Sequence, residues 1–129
     1  MSMNLGRSNY IDSLRTLGIS KDDLTILPCT KDYQGKIFEL IKSAKSRIYI
    51  AALYLQDDAA GAAVLTALYE AKKKNPLLDI KVFVDFLRAQ RGLIGQKKST
   101  GNIRLYRELN GLYQHSIKIF GVPVKSREF

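Results

Sequence analysis

Between Val82 and Gly95 the chain reads Val-Phe-Val-Asp-Phe-Leu-Arg-Ala-Gln-Arg-Gly-Leu-Ile-Gly, which places a carboxylate, two arginines, an amide and two glycines within eleven residues. Arginine forks pair bidentately with phosphate oxygens, and Gly92 and Gly95 let backbone amides approach a ligand closely. Ile80, Val82 and Val84 alternate with Lys81, Phe83 and Asp85, so a strand is predicted to run straight into this segment. In open α/β sheets ligands collect beyond the carboxyl ends of the strands, here Leu55 to Asp58, Asp85 to Arg91 and Gly121 to Arg127. The placement suits phosphate chemistry, and on these residues alone a solvated basic loop stays open as the alternative.

Charge supports an anionic partner. The net +9 arises entirely after residue 71: residues 1–71 hold eight Lys or Arg against eight Asp or Glu, and residues 72–129 hold thirteen against four. Arg88, Arg91, Lys97, Lys98, Arg104 and Arg107 follow one another with no acidic residue between them. A field of that sign attracts phosphorylated ligands, nucleic acid or anionic lipid and carries no information about fold.

Sharper chemistries fit less well. A P-loop needs Gly-x-x-x-x-Gly-Lys-Ser/Thr, but Gly95 is followed by Gln96. Asp57 and Asp58 stand before Ala-Ala-Gly, where a helix cap is favoured over a metal pair, and no histidine or cysteine cluster supports a metal. His115 is the only histidine, so no second imidazole exists for paired acid and nucleophile roles, and a loop or strand-edge place is expected for it. The lone Cys29 excludes an internal disulfide. Met1 to Tyr10 lacks the apolar segment of a secretory signal, and the longest apolar run, Ile48 to Leu55, falls far short of the roughly 20 residues that span a bilayer.

The elements that must position the basic segment follow from periodicity. A chain of 129 residues with 46% hydrophobic content forms one domain with a core. Ile11, Leu14 and Leu17 predict a short helix ending at Gly18, and Leu24 to Leu27 a short strand before Pro28. Lys31 to Ser46 reads as an amphipathic helix with Ile37, Leu40, Ile41 and Ala44 inward. Ile48 to Leu55 reads as a strand buried on both faces. Asp57 and Asp58 then cap a helix with Val64, Leu65, Leu68, Tyr69 and Ala71 inside, closed by Lys72, Lys73, Lys74 and Pro76. A helix over Ile103 to Leu112, with Leu105, Leu109 and Leu112 on one side, and a strand over Ile117 to Val122 complete an α/β fold around a mainly parallel sheet.

Four segments carry a family resemblance: Ala52-Leu53-Tyr54-Leu55, Ala67-Leu68-Tyr69-Glu70-Ala71-Lys72, Arg88-Ala89-Gln90-Arg91-Gly92-x-Ile94-Gly95 and Gly121-Val122-Pro123-x-x-x-Arg127-Glu128. In this order they resemble the bacterial CDP-diacylglycerol–serine O-phosphatidyltransferases of the phospholipase D superfamily, from about Leu24 to the end. The resemblance implies a phospholipase-D-like sandwich with an incomplete first half: residues 1–23 an N-terminal extension, and 24–129 the N-terminal part of the first such domain. It implies transfer of a phosphatidyl group from CDP-diacylglycerol to L-serine, with release of CMP. Such enzymes use two His-x-Lys-x-x-x-x-Asp motifs, one histidine attacking phosphorus and the other protonating the leaving group, with no metal or other cofactor.

Neither motif is present: His115-Ser116-Ile117-Lys118 places its lysine one position late, and the family's first motif begins a few residues beyond the match to Arg127-Glu128. No residue here is therefore expected to be catalytic, and a fragment without activity of its own is expected. Arg88, Gln90, Arg91 and Arg127 are expected to line the phosphate side of the donor pocket. The family's Trp-His is Phe86-Leu87 here, and its Asn-Ala-Asp-Trp-Tyr is replaced around Gly101 to Tyr106. The expected setting is cytoplasmic, peripheral at an anionic inner-membrane surface. The alternatives are another phospholipase-D-like transferase or hydrolase, or a noncatalytic basic module that binds anionic membrane, RNA or the ribosome.

Overall fold

The computed structural model describes residues 13–91 and 101–123. After a single 3-10 turn, Lys21–Asp23, capped by the Ser20 hydroxyl, come α1 (Thr30–Ser43), β1 (Arg47–Ala52), α2 (Ala59–Lys74) and β2 (Asp79–Asp85). These lead to α3 (Phe86–Gln90), α4 (Ile103–Leu112) and β3 (Lys118–Val122). The strands form a parallel sheet in the order β1-β2-β3, so the α/β architecture expected from the sequence is the one observed.

The central strand organises the core. Ile80, Val82 and Val84 of β2 are buried and join Leu65, Leu68 and Tyr69 of α2, Leu105 and Tyr106 of α4, and Ile117 in a single cluster. Each large apolar side chain taken from water into such a core contributes roughly 1.5–3 kcal/mol. The opposite face carries Tyr49, Lys81, Phe83 and Phe120; the two phenylalanine rings stack at 5.2 Å, and Phe120 stays substantially exposed.

Several expectations are corrected here. β1 ends at Ala52 rather than Leu55, and it is not buried on both faces: its exposure alternates, with Tyr49 51% exposed, because it is an edge strand of a sheet whose core lies on one side. Leu24 to Leu27 forms no strand. Helix α1 stops at Ser43, and Leu40 is 57% exposed, leaving Ile41 as its buried residue. Leu112 is likewise exposed at the last turn of α4. The expected helix ending at Gly18 is not found either: Ile11 lies outside the described residues, but the chain is not helical from Leu14 to Gly18, and Leu14 and Leu17 are exposed, with no core within reach to reward a helical stripe.

Helix α2 shows its signals plainly. Asp58 alone is the cap, accepting from the Gly61 N–H at 2.9 Å, and Lys72 at the other end donates to the carbonyls of Pro76 (2.7 Å) and Leu78 (2.8 Å). Gly61 is needed for contact: a Cβ there would lie 1.9 Å from the Gln56 carbonyl oxygen. In an open helix Gly→Ala gains about 1 kcal/mol, whereas forcing a methyl group into packed structure costs about 1–3 kcal/mol. Gly61→Ala should therefore lower the urea midpoint of unfolding with little change in slope; a raised midpoint would show that the loop after β1 does not pack on α2 as described.

Candidate functional site

The carboxyl ends of β1 and β2 lie side by side, because Ala52 pairs with Val84 and the Asp85 N–H donates to the Leu53 carbonyl at 3.1 Å. Beyond them run the segments 53–58 and 85–91. Asp85, the carboxylate of the segment that opened the sequence reading, is the N-cap of α3 and accepts from the Arg88 N–H at 2.8 Å. That single turn buries Ala89 and leaves Arg88 half-buried and Gln90 and Arg91 exposed. Among the described residues neither the Arg88 nor the Arg91 guanidinium meets a carboxylate.

One residue ties these segments together. Asn102 is completely buried; its Oδ1 accepts from the Asp57 N–H at 2.8 Å, and its Nδ2 donates to the carbonyls of Arg88 (3.2 Å) and Arg91 (3.1 Å). Gly101 makes that approach possible, with φ at 74° and a position where a Cβ would lie 2.2 Å from the Gln90 carbonyl oxygen. One turn further along α4 the Tyr106 hydroxyl donates to the Leu55 carbonyl at 2.8 Å and accepts from the Leu55 N–H at 3.0 Å. Burial raises the Tyr106 pKa, partly offset by the hydrogen bond that its oxygen accepts from the Leu55 N–H.

The basic run is not uniform. Arg104 is engaged by Asp57 at 3.1 Å and lies 3.7 Å from Glu108, and the bond to Asp57 is the first cause of its raised pKa. Arg107 lines a cleft of about 310 Å³ between α3, α4 and β3, together with Phe86, Ala89, Gln90, Tyr106 and Ile119. Of the expected site residues, Gln90 therefore faces this cleft, and Arg88 and Arg91 flank it on the same short helix and its C-cap. Arg127, Gly92, Gly95, Lys97 and Lys98 lie outside the described residues. At the opposite end of the sheet Lys81 is paired with Asp79 at 2.9 Å and packs over the Tyr49 ring; hydrogen bonds from Tyr49 and then Lys81 hold the Asp79 carboxyl below its usual range. No group of three or more His, Cys, Asp or Glu side chains suited to a metal occurs among the described residues. His115 sits in the loop before β3.

Asn102 and Tyr106 were missed by sequence reasoning. They lie in the stretch Gly101 to Tyr106, where the resemblance departs from its family pattern, so the sequence reading gave them no role.

The chain resembles known proteins in sequence and in fold. The chain is 40% identical over 121 residues to a CDP-diacylglycerol–serine O-phosphatidyltransferase of Haemophilus influenzae, and 40% identical over 123 residues to its counterpart from Escherichia coli K12. Each match covers 92% of this chain and 27% of the relative, so the chain spans about a quarter of the length of these curated relatives. The crystal structure of phosphatidylserine synthase from Haemophilus influenzae superimposes with a TM-score of 0.65 at 43% identity, over 71% of this chain and 21% of that one. No family model matches the sequence.

The Tyr106 hydroxyl generates a prediction that needs no ligand. Tyr106→Phe keeps the ring and removes both bonds to Leu55, at an expected cost of about 1–3 kcal/mol for the buried groups left unpaired. A tyrosine whose folded pKa is raised contributes stability that is complete below its unfolded value and lost as pH rises through the folded one. Denaturant titrations from pH 7 to 11 should therefore show Tyr106→Phe less stable at neutral pH and the gap to the parent chain closing on the alkaline side; a gap that widens would contradict the buried hydroxyl.

Proposed function

We propose that this chain is the donor-binding part of a phosphatidyltransferase that makes phosphatidylserine and CMP from CDP-diacylglycerol and L-serine. The observation that carries the reading is the segment Arg88-Ala89-Gln90-Arg91: two cations unpaired among the described residues, at the carboxyl end of a parallel strand, in a chain 40% identical to such enzymes. Arg88 and Arg91 contact the oxygens of the donor pyrophosphate, Gln90 donates alongside them, and Arg127 joins them from the segment after β3. Their role is to bind and orient charge. Guanidinium forks neutralise the pyrophosphate without competing as nucleophiles, since arginine stays protonated throughout the physiological range. Residues outside this chain supply the attacking and proton-donating groups, in keeping with the absence of a His-x-Lys motif from the sequence. The chain forms the front of the first phospholipase-D-like domain.

Contact with an anionic bilayer belongs to the same proposal, because the lipid donor resides there. No helix among the described residues is long and apolar enough to cross a membrane. Leu17, Ile19 and Ile26, in the segment before α1, are 83%, 72% and 79% exposed, and they offer apolar side chains to an interface.

Two measurements test the reading. CDP-diacylglycerol in mixed micelles should bind the chain, and Arg88→Ala with Arg91→Ala should weaken binding about 100-fold or more, the worth of at least one charge-assisted hydrogen bond from each arginine; unchanged affinity would overturn the assignment. Incubated with labelled serine and CDP-diacylglycerol, the chain alone should release no CMP above background, and serine-dependent release would show that the catalytic groups have been misplaced.

A further inference from the structure

We propose that Asn102 is the positioning residue of the donor-phosphate site, fixing the backbone that carries Arg88 and Arg91 so that both guanidinium groups are presented together before the ligand arrives. The inference rests on the donor-binding reading above and adds a residue to which nothing so far gives a functional role.

Helix α3 has five residues, too few for hydrogen bonds within one turn to hold its shape in water. The carbonyls at a helix C-terminus have no partner within the helix. Here two carbonyls of this segment, those of Arg88 and Arg91, receive both protons of one side-chain amide, at 3.2 and 3.1 Å. The same amide is anchored through its oxygen to the Asp57 N–H at 2.8 Å. Two donors and one acceptor of a completely buried side chain are thus spent on backbone groups from two segments, each following a different strand. Gly101 is fitted to the same contact, since any Cβ there would strike the Gln90 carbonyl oxygen.

Arginine side chains lose rotamer freedom when they bind, and a ligand that must also order the backbone beneath them binds more weakly. Asn102 removes the second cost. Arg104 strengthens the anchor from outside by pairing with Asp57, the residue whose N–H meets Asn102. None of these groups touches the ligand in this scheme, so Asn102 acts only through Arg88 and Arg91.

A purely structural asparagine would lower stability and leave the affinity of the folded fraction alone, which defines the test. Asn102→Asp keeps size and the acceptor for Asp57 but sets an anionic oxygen against the two carbonyls. Asn102→Ser, which retains one donor, is the second variant. Ile41→Ala, a core truncation in α1 away from the site, controls for lost stability. CDP-diacylglycerol in mixed micelles is titrated at a temperature where each variant is folded by circular dichroism. Binding to Asn102→Asp should be weaker by about ten-fold or more, with Asn102→Ser between it and the parent and Ile41→Ala unchanged. Full affinity in Asn102→Asp, with affinity lost in the Arg88→Ala, Arg91→Ala double variant, overturns the positioning role alone. Full affinity in both overturns the donor-binding reading and this inference with it. If neither Asn102 variant folds, the side-chain amide proton resonances of Asn102 in the parent chain decide: they should shift on titration with CDP, and an unmoved pair overturns the proposal.

Discussion

A single buried side-chain amide holds the segments after β1 and β2 in register. An uncharged amide in a dry site is favourable only when its partners are satisfied, since each unpaired group costs about 1–3 kcal/mol. Asn102 meets that condition through backbone groups of Asp57, Arg88 and Arg91, segments 31 residues or more apart in the chain. Tyr106 repeats the device four residues on by closing both backbone bonds of Leu55. The first turn of α4 thus does for the loops after β1 and β2 what hydrogen bonding between the strands does for the sheet itself.

That arrangement explains why a three-stranded sheet presents a basic shoulder in a fixed place. Parallel pairing brings the carboxyl ends of β1 and β2 to the same edge, and the apolar stripe Ile80, Val82, Val84 clamps β2 against α2. Parallel sheets are normally covered on both faces. Here Tyr49 and Phe120 of the second face stay about half-exposed, in a chain that spans about a quarter of its curated relatives. The charge excess after residue 71 is divided by this geometry: Lys72 is used by the carbonyls after α2, Lys81 by Asp79 and Arg104 by Asp57, whereas Arg88 and Arg91 meet no carboxylate among the described residues.

Much of the fold was legible in the sequence because the signals were local. The alternation of Ile80, Val82 and Val84 marked β2, and an aspartate before Ala-Ala-Gly with three lysines before Pro76 marked both ends of α2. What misled was context. The apolar run through Leu55 looked like a longer strand, but its last residues leave the sheet to meet Tyr106. The capping role of Asp85 was not legible because its bond is made to a turn too short to show a period. Gly101-Asn102 received no reading of its own, since nothing local says that the asparagine will be buried between two loops. The arginines were found by type and spacing, and their support was not.

Backbone hydrogen exchange, with and without CDP-diacylglycerol micelles, tests the central claim most directly. If the segments after β1 and β2 form one braced phosphate shoulder, the lipid should slow exchange together across residues 85–91, 55–58 and 101–106, and micelles without it should not. Slowing confined to the lysines at the end of α2 or the start of β3, or slowing at 85–91 with none at 55–58 and 101–106, would contradict the account.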